Sequence, residues 1–91
     1  MAQVIKTTGF IKEIEPENGT DFSLEEMRKI VGGNIEIVST RDGKKRIVVN
    51  EDGKMKRLPF NSLATSLYTD MRMPHDLIVG DVLVCDVNQI V

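Results

Sequence analysis

SLEEMRKIVGGNIEIVSTRDGKKRIVVNEDGKMKRLPFN, residues 23–61, decides the fold, because it reads without a gap as helix, stop, strand, turn, strand and second turn. Ser23 is placed to cap the amide of Glu26 while the Glu26 carboxylate reaches back to Ser23, and Phe22 and Met27 bracket this capping box as a hydrophobic staple. Leu24, Met27, Ile30 and Val31 form an apolar stripe at helical spacing. Gly32 suits the left-handed conformation that ends a helix, and Gly33 loosens the exit. Residues 34–40 and 45–50 then read as strands joined around Asp42-Gly43, a favoured hairpin turn. A further turn at Glu51-Asp52-Gly53 leads to a short strand over 54–58, which Pro59 terminates.

Outward from this stretch the signals thin. Val4, Ile5, Thr7, Thr8, Ile11 and Ile14 make residues 4–14 strand-like, as one bent strand or a loose pair about Gly9. Residues 16–20, with Asn18-Gly19, form a turn. Asn61 or Ser62 caps a second, short helix running to about Thr69, with Leu63, Ala64 and Leu67 on its apolar side. Pro74 blocks helix continuation, so 71–76 is loop. Residues 77–87 are strand-like but interrupted at Gly80-Asp81, with a final strand over 82–87. The expectation is a single α+β domain over residues 1–91: an antiparallel or mixed sheet of four to five strands with two helices packed on one face.

A chain of 91 residues supports one modest core. With no Trp, one Tyr and three Phe, that core is built from Ile, Val, Leu and Met, and pairing between protomers would help it, so a homo-oligomer is expected. No run approaches the roughly 20 apolar residues of a membrane span, and Met1-Ala2-Gln3-Val4 lacks the features of a signal peptide. One cysteine, Cys85, excludes an internal disulfide and agrees with a reducing compartment, so a cytoplasmic protein is expected.

The net charge of −2 covers an asymmetry. Arg41, Lys44, Lys45, Arg46, Lys54, Lys56 and Arg57 crowd into residues 41–57 against Asp42, Glu51 and Asp52, and the remainder is acidic. Overall acidity disfavours nucleic acid as a partner, whereas a small anion at the basic hairpin is compatible with it. The plainer reading is a solvated hairpin whose basic side chains keep an exposed strand from aggregating.

The residues of catalysis are sparse. His75 and Cys85 are each the only one of their kind; Cys85 alternates within a strand and reads as packed, and His75 follows Pro74 in a loop. There is no Walker loop, no Gly-x-Gly-x-x-Gly, no EF-hand spacing and no His-Glu-x-x-His. A non-enzymatic protein without catalytic residues, metal or cofactor is therefore expected. What remains is a polar cluster: Asn50, Lys54, Lys56, Arg57, Asn61, Thr65 and Tyr68. Guanidinium and ammonium groups suit phosphate, amides suit a base edge and a ring suits stacking, so these seven are the candidate ligand-binding residues. Their ordinary alternatives are turn and cap roles for Asn50 and Asn61 and a core-edge role for Tyr68.

The motifs SLEEMRKIVGGNIE (23–36), VVNEDGK (48–54), LPFNSLAT (58–65) and DLIVGDVLV (76–84) together resemble a family of small uncharacterised domains of unknown function found in bacteriophages and bacterial mobile elements. The likeness covers about residues 20–87 and carries over no catalytic residue. It implies a phage or mobile-element setting, where compact binding domains disarm host defence. Two functions are consistent with that setting. One is a sponge that sequesters a nucleotide-derived immune signal, a cyclic oligonucleotide or a cyclised ADP-ribose product; the other is an inhibitor that masks a host defence or restriction enzyme by surface contact, or a small regulatory interaction domain.

Overall fold

The computed structural model describes residues 2–68 and 77–90. A five-stranded antiparallel sheet in the order β2-β1-β5-β4-β3 forms its centre. The strands are β1 (Ala2–Ile5), β2 (Ile11–Ile14), β3 (Ile35–Ser39), β4 (Lys45–Asn50) and β5 (Val82–Asp86), with helices α1 (Leu24–Val31) and α2 (Ser62–Tyr68). The expected α+β class and strand number hold, and all four pairings are antiparallel. Residues 4–14 resolve as the pair, closed by hydrogen bonds from Gly9 N to Lys6 O and from Lys6 N to Phe10 O.

The two helices do not share a face, which corrects the expected packing of both on one side. Side chains alternate along a strand, so Val48, Leu83 and Cys85 point one way and pack with Ala2, Phe22, Met27 and Val31 under α1. Ile47, Val49, Val82 and Val84 point the other way and pack with Ile5, Ala64 and Ile78 under α2. The physical reason lies in the uninterrupted apolar runs Ile47-Val48-Val49 and Val82-Leu83-Val84-Cys85. A strand apolar on both sides needs cover on both sides.

Helix α1 forms as its local signals require. The amide of Glu26 donates to Ser23 Oγ at 3.1 Å and the amide of Ser23 donates to Glu26 Oε1 at 2.9 Å, a cap worth about 1 kcal/mol. Gly32 ends the helix at φ 81°, its amide donating to Arg28 O. Met27 and Val31 are buried and Ile30 packs partly, but Leu24 is half exposed and leaves the expected stripe, since the first helical position lies beyond the sheet's cover. Gly33 serves close approach: a Cβ there would stand 3.0 Å from Asn50 Nδ2.

Residues 54–58 are not a strand. Lys56 N donates to Asp52 O, Arg57 N to Lys54 O and Leu58 N to Gly53 O, which is one helical turn closed by a Schellman motif. Arg57, at φ 56°, is its left-handed residue. These local bonds satisfy the backbone that a strand would have left seeking a partner. Pairing resumes just beyond, where Phe60 and Val79 form an antiparallel bridge, flanked by Gly80 N donating to Pro59 O and Asn61 N donating to Ile78 O. The expected helix end at Thr69 and loop 71–76, including His75, lie outside the described residues. No helix among the described residues is long and apolar enough to cross a membrane.

Candidate functional site

Three of the seven candidate residues are committed to holding the fold. Asn61 is 1% exposed. Its Nδ2 donates to Ile5 O at 3.0 Å and to Gly80 O at 2.9 Å, and its Oδ1 accepts from Ala64 N at 3.0 Å, capping α2. The buried Thr65 hydroxyl donates to Asn61 O at 2.8 Å and accepts from Ile78 N at 2.9 Å. Asn50, also buried, donates through Nδ2 to Val31 O at 3.1 Å and accepts from Asp52 N at 2.8 Å, tying the end of α1 to the turn after β4.

The basic run does not make one surface. Arg41, Lys44, Lys45 and Arg46 stand at one end of β4 and Lys54, Lys56 and Arg57 at the other, separated by a six-residue strand or roughly 20 Å. Lys45 is engaged by Asp86 at 2.6 Å, and this ammonium holds the Asp86 carboxyl down to about 2. Arg46 donates to the carbonyls of Gly43 and Lys45. Lys56 lies over the α1 exit: a Cβ on Gly33 would stand 3.1 Å from its Nζ. That places an ammonium near the carbonyl end of a helix, a favourable position for positive charge.

Asn50, Lys54 and Tyr68 do come together, at an open cleft of about 180 Å³ on the α2 side of the sheet. Glu36 and Val38 of β3 and Val49 of β4 supply its strand walls, Glu51 and Met55 come from the turn, and Leu77 to Val79 border it opposite. Tyr68, at the end of α2, packs its ring partly against the α2-side core. Lys56, Arg57, Asn61 and Thr65 are not among its described lining residues. Glu36 and Met55 were not candidates on sequence. The signal available for Met55 is a large apolar side chain set between Lys54 and Lys56; it is 87% exposed. Glu36 showed only as the polar member of an alternating strand.

Cys85 is fully buried on the α1 side, and desolvation, with the neighbouring Asp86 charge adding to it, pushes its thiol up to about 11. A thiol held neutral in this way is a poor nucleophile, in keeping with a packed strand residue. Among the described residues no cluster of His, Cys, Asp and Glu is arranged to hold a metal ion.

The model of a protein family described as a domain of unknown function, DUF3846, matches residues 3–89, and the chain belongs to that family. No curated protein and no solved structure matches it.

Proposed function

We propose that this member of the DUF3846 family is a binding protein that sequesters a nucleotide-derived ligand, with the cleft beside Tyr68 receiving one part of it. The observation that supports the reading is the convergence of Lys54 and Tyr68, each suited by its chemistry, on one cleft whose wall includes Asn50, its amide engaged by Val31 and Asp52. The Tyr68 ring and the Met55 thioether offer surfaces against which a base can lie. The Lys54 ammonium offers charge to a phosphate, and the Glu36 and Glu51 carboxylates accept hydrogen bonds from ribose hydroxyls. Two carboxylates to one ammonium set ribose hydroxyls, and not phosphates, against Glu36 and Glu51; a cyclised ADP-ribose product and a cyclic oligonucleotide, each with one phosphate per ribose, meet that requirement alike.

Size adds a second constraint. Pockets that enclose small ligands hold roughly 300–1,000 Å³, so this cleft accommodates a base and its sugar and leaves the remainder outside. A second protomer completing the enclosure makes a homo-oligomer part of the proposal. In this reading the protein acts in the cytoplasm of a bacterial host, carried by a phage or mobile element, and withholds an immune signal from its effector.

The test is a thermal-shift and calorimetric titration against cyclic ADP-ribose isomers, cyclic di- and trinucleotides and linear nucleotides. A ligand at 100 times its dissociation constant adds about 2.7 kcal/mol, a shift of many degrees in a domain this small. The shift should vanish in Met55→Asp, an exposed substitution that leaves the unliganded melt in place, and in Lys54→Glu, read against that variant's own unliganded melt. No response to any ligand overturns the proposal. It would favour the masking of a host enzyme by surface contact, a reading supported by the exposure of Met55 and Phe60 and tested by recovery of a stoichiometric partner.

A further inference from the structure

We propose that β3 pairs antiparallel with β3 of a second copy about a two-fold axis at Ile37, joining two sheets into one and two clefts into one chamber. This rests on the cleft being the ligand site.

The sheet has two edges, and they differ. β2 carries Lys12 and Glu13 in a four-residue strand, charged side chains of the kind that blunt an edge. β3 is IEIVS, longer, with one charge and neither Lys nor Pro. Its register against β4 sets which backbone groups face outward. Asn34 O accepts from Glu51 N and Thr40 N donates to Lys45 O, so Asn34, Glu36, Val38 and Thr40 turn their backbone groups toward β4. Ile35, Ile37 and Ser39 therefore turn their N–H and C=O groups to the open edge, where no hydrogen bond to another described residue meets them.

Those three positions are self-complementary. A two-fold at Ile37 sets Ile37 opposite Ile37, Ile35 opposite Ser39 and Glu36 opposite Val38, so each outward residue exchanges both backbone bonds with its facing partner. No like charges lie directly opposite. Ile37, 41% exposed, covers its own counterpart on the α1 side. Because the axis runs perpendicular to the sheet, the α2 faces of both copies lie on the same side. Glu36 and Val38, which line the cleft, sit at the seam, so the two clefts meet across it. A cleft too small for a whole ligand becomes one of twice the reach. The two Glu36 side chains stand diagonally, about 7–8 Å apart at the backbone, the one unfavourable contact in the arrangement.

The register makes the test specific. In a facing pair the Cα atoms stand about 5.5 Å apart, within disulfide range, whereas two Ile35 residues would be separated by roughly 13 Å along the strands. Oxidised Ile37→Cys should run as a covalent dimer and Ile35→Cys should not, with the buried Cys85 contributing no background. Sedimentation equilibrium should find the unmodified protein dimeric, Ile37→Lys folded by circular dichroism but monomeric, and Glu36→Gln a few-fold tighter. A monomeric wild type, or cross-linking of Ile35→Cys as readily as Ile37→Cys, overturns this inference. The ligand titration is read separately. A ligand shift in a monomeric protein leaves the cleft reading standing without the pairing, and specific cross-linking with no ligand response leaves the pairing standing without the cleft.

Discussion

Asn61 and Ile5, 56 positions apart in sequence, are joined by a 3.0 Å hydrogen bond from a side-chain amide to a main-chain carbonyl. The same amide group reaches Gly80, and the same side chain caps α2, so a single buried residue fixes the end of β1, the start of α2 and the approach to β5 in one place. Asn61→Ala should lower stability by about 3 kcal/mol, from a lost cap and two lost buried hydrogen bonds to main-chain carbonyls. Asn61→Asp keeps the cap acceptor and loses the donors, and should recover only part of that loss. Urea unfolding measures both; a stable Asn61→Ala protein that merely failed to bind ligand would contradict the structural role.

Gly33→Ala should cost about 1–2 kcal/mol although Gly33 lies at a helix exit and has an ordinary φ. The new methyl group meets the Asn50 amide, which is buried and held by Val31 O, and that amide must move. In Asn50→Ala the obstruction is gone, so the two substitutions together should cost less than their sum. Strict additivity in a double-mutant cycle would place the strain elsewhere.

Acid should destabilise the fold in a window set by its lowered carboxyl groups. The Lys45 ammonium holds Asp86 down to about 2, and backbone donors lower Glu26 and Asp42 from their ordinary values. A group whose pKa is depressed on folding contributes stability above its unfolded value and loses it as pH falls through the folded one. Melting temperature should therefore hold down to about pH 4 and fall between about pH 4 and pH 2. Lys45→Met should flatten that fall, as followed by circular dichroism across the window.

Cys85 should resist thiol reagents in the native protein. Its burial keeps the thiol neutral well above physiological pH, so labelling by a disulfide reagent at pH 8 should proceed only at the rate of unfolding and become immediate in denaturant. Cys85→Ser should cost about 1–3 kcal/mol by placing a hydroxyl among Val48, Leu83 and Met27. Rapid labelling of the folded chain would show an open path to the thiol.

Local chemistry made α1 and the β3–β4 hairpin legible, because Ser23, Glu26, Gly32 and Gly43 act on their own neighbours. The second face was legible too, in the unbroken apolar runs of β4 and β5, but alternation along β3 drew attention to a single buried side. The turn at 53–57 was hidden because its left-handed residue is Arg57, a position where glycine is the usual marker. Asn61 showed its capping role locally; its long-range partners, Ile5 and Gly80, have no sequence signature. The cleft was half visible: Lys54 and Tyr68 advertised their chemistry, while Glu36 joins them only because β3 is folded alongside.

The strand order carries a consequence for how the chain reaches this state. β5 lies between β1 and β4 and is the last of the strands to be synthesised. Until it arrives, the β1–β2 and β3–β4 hairpins are separate objects, each holding an open inner edge for a strand that does not yet exist. Closing the sheet means bringing Val4 to Leu83, a long-range contact of the kind that slows folding. A nascent chain stalled before Val82 therefore presents two ready templates for β-addition, and chaperone engagement should fall away as the final strand leaves the ribosome.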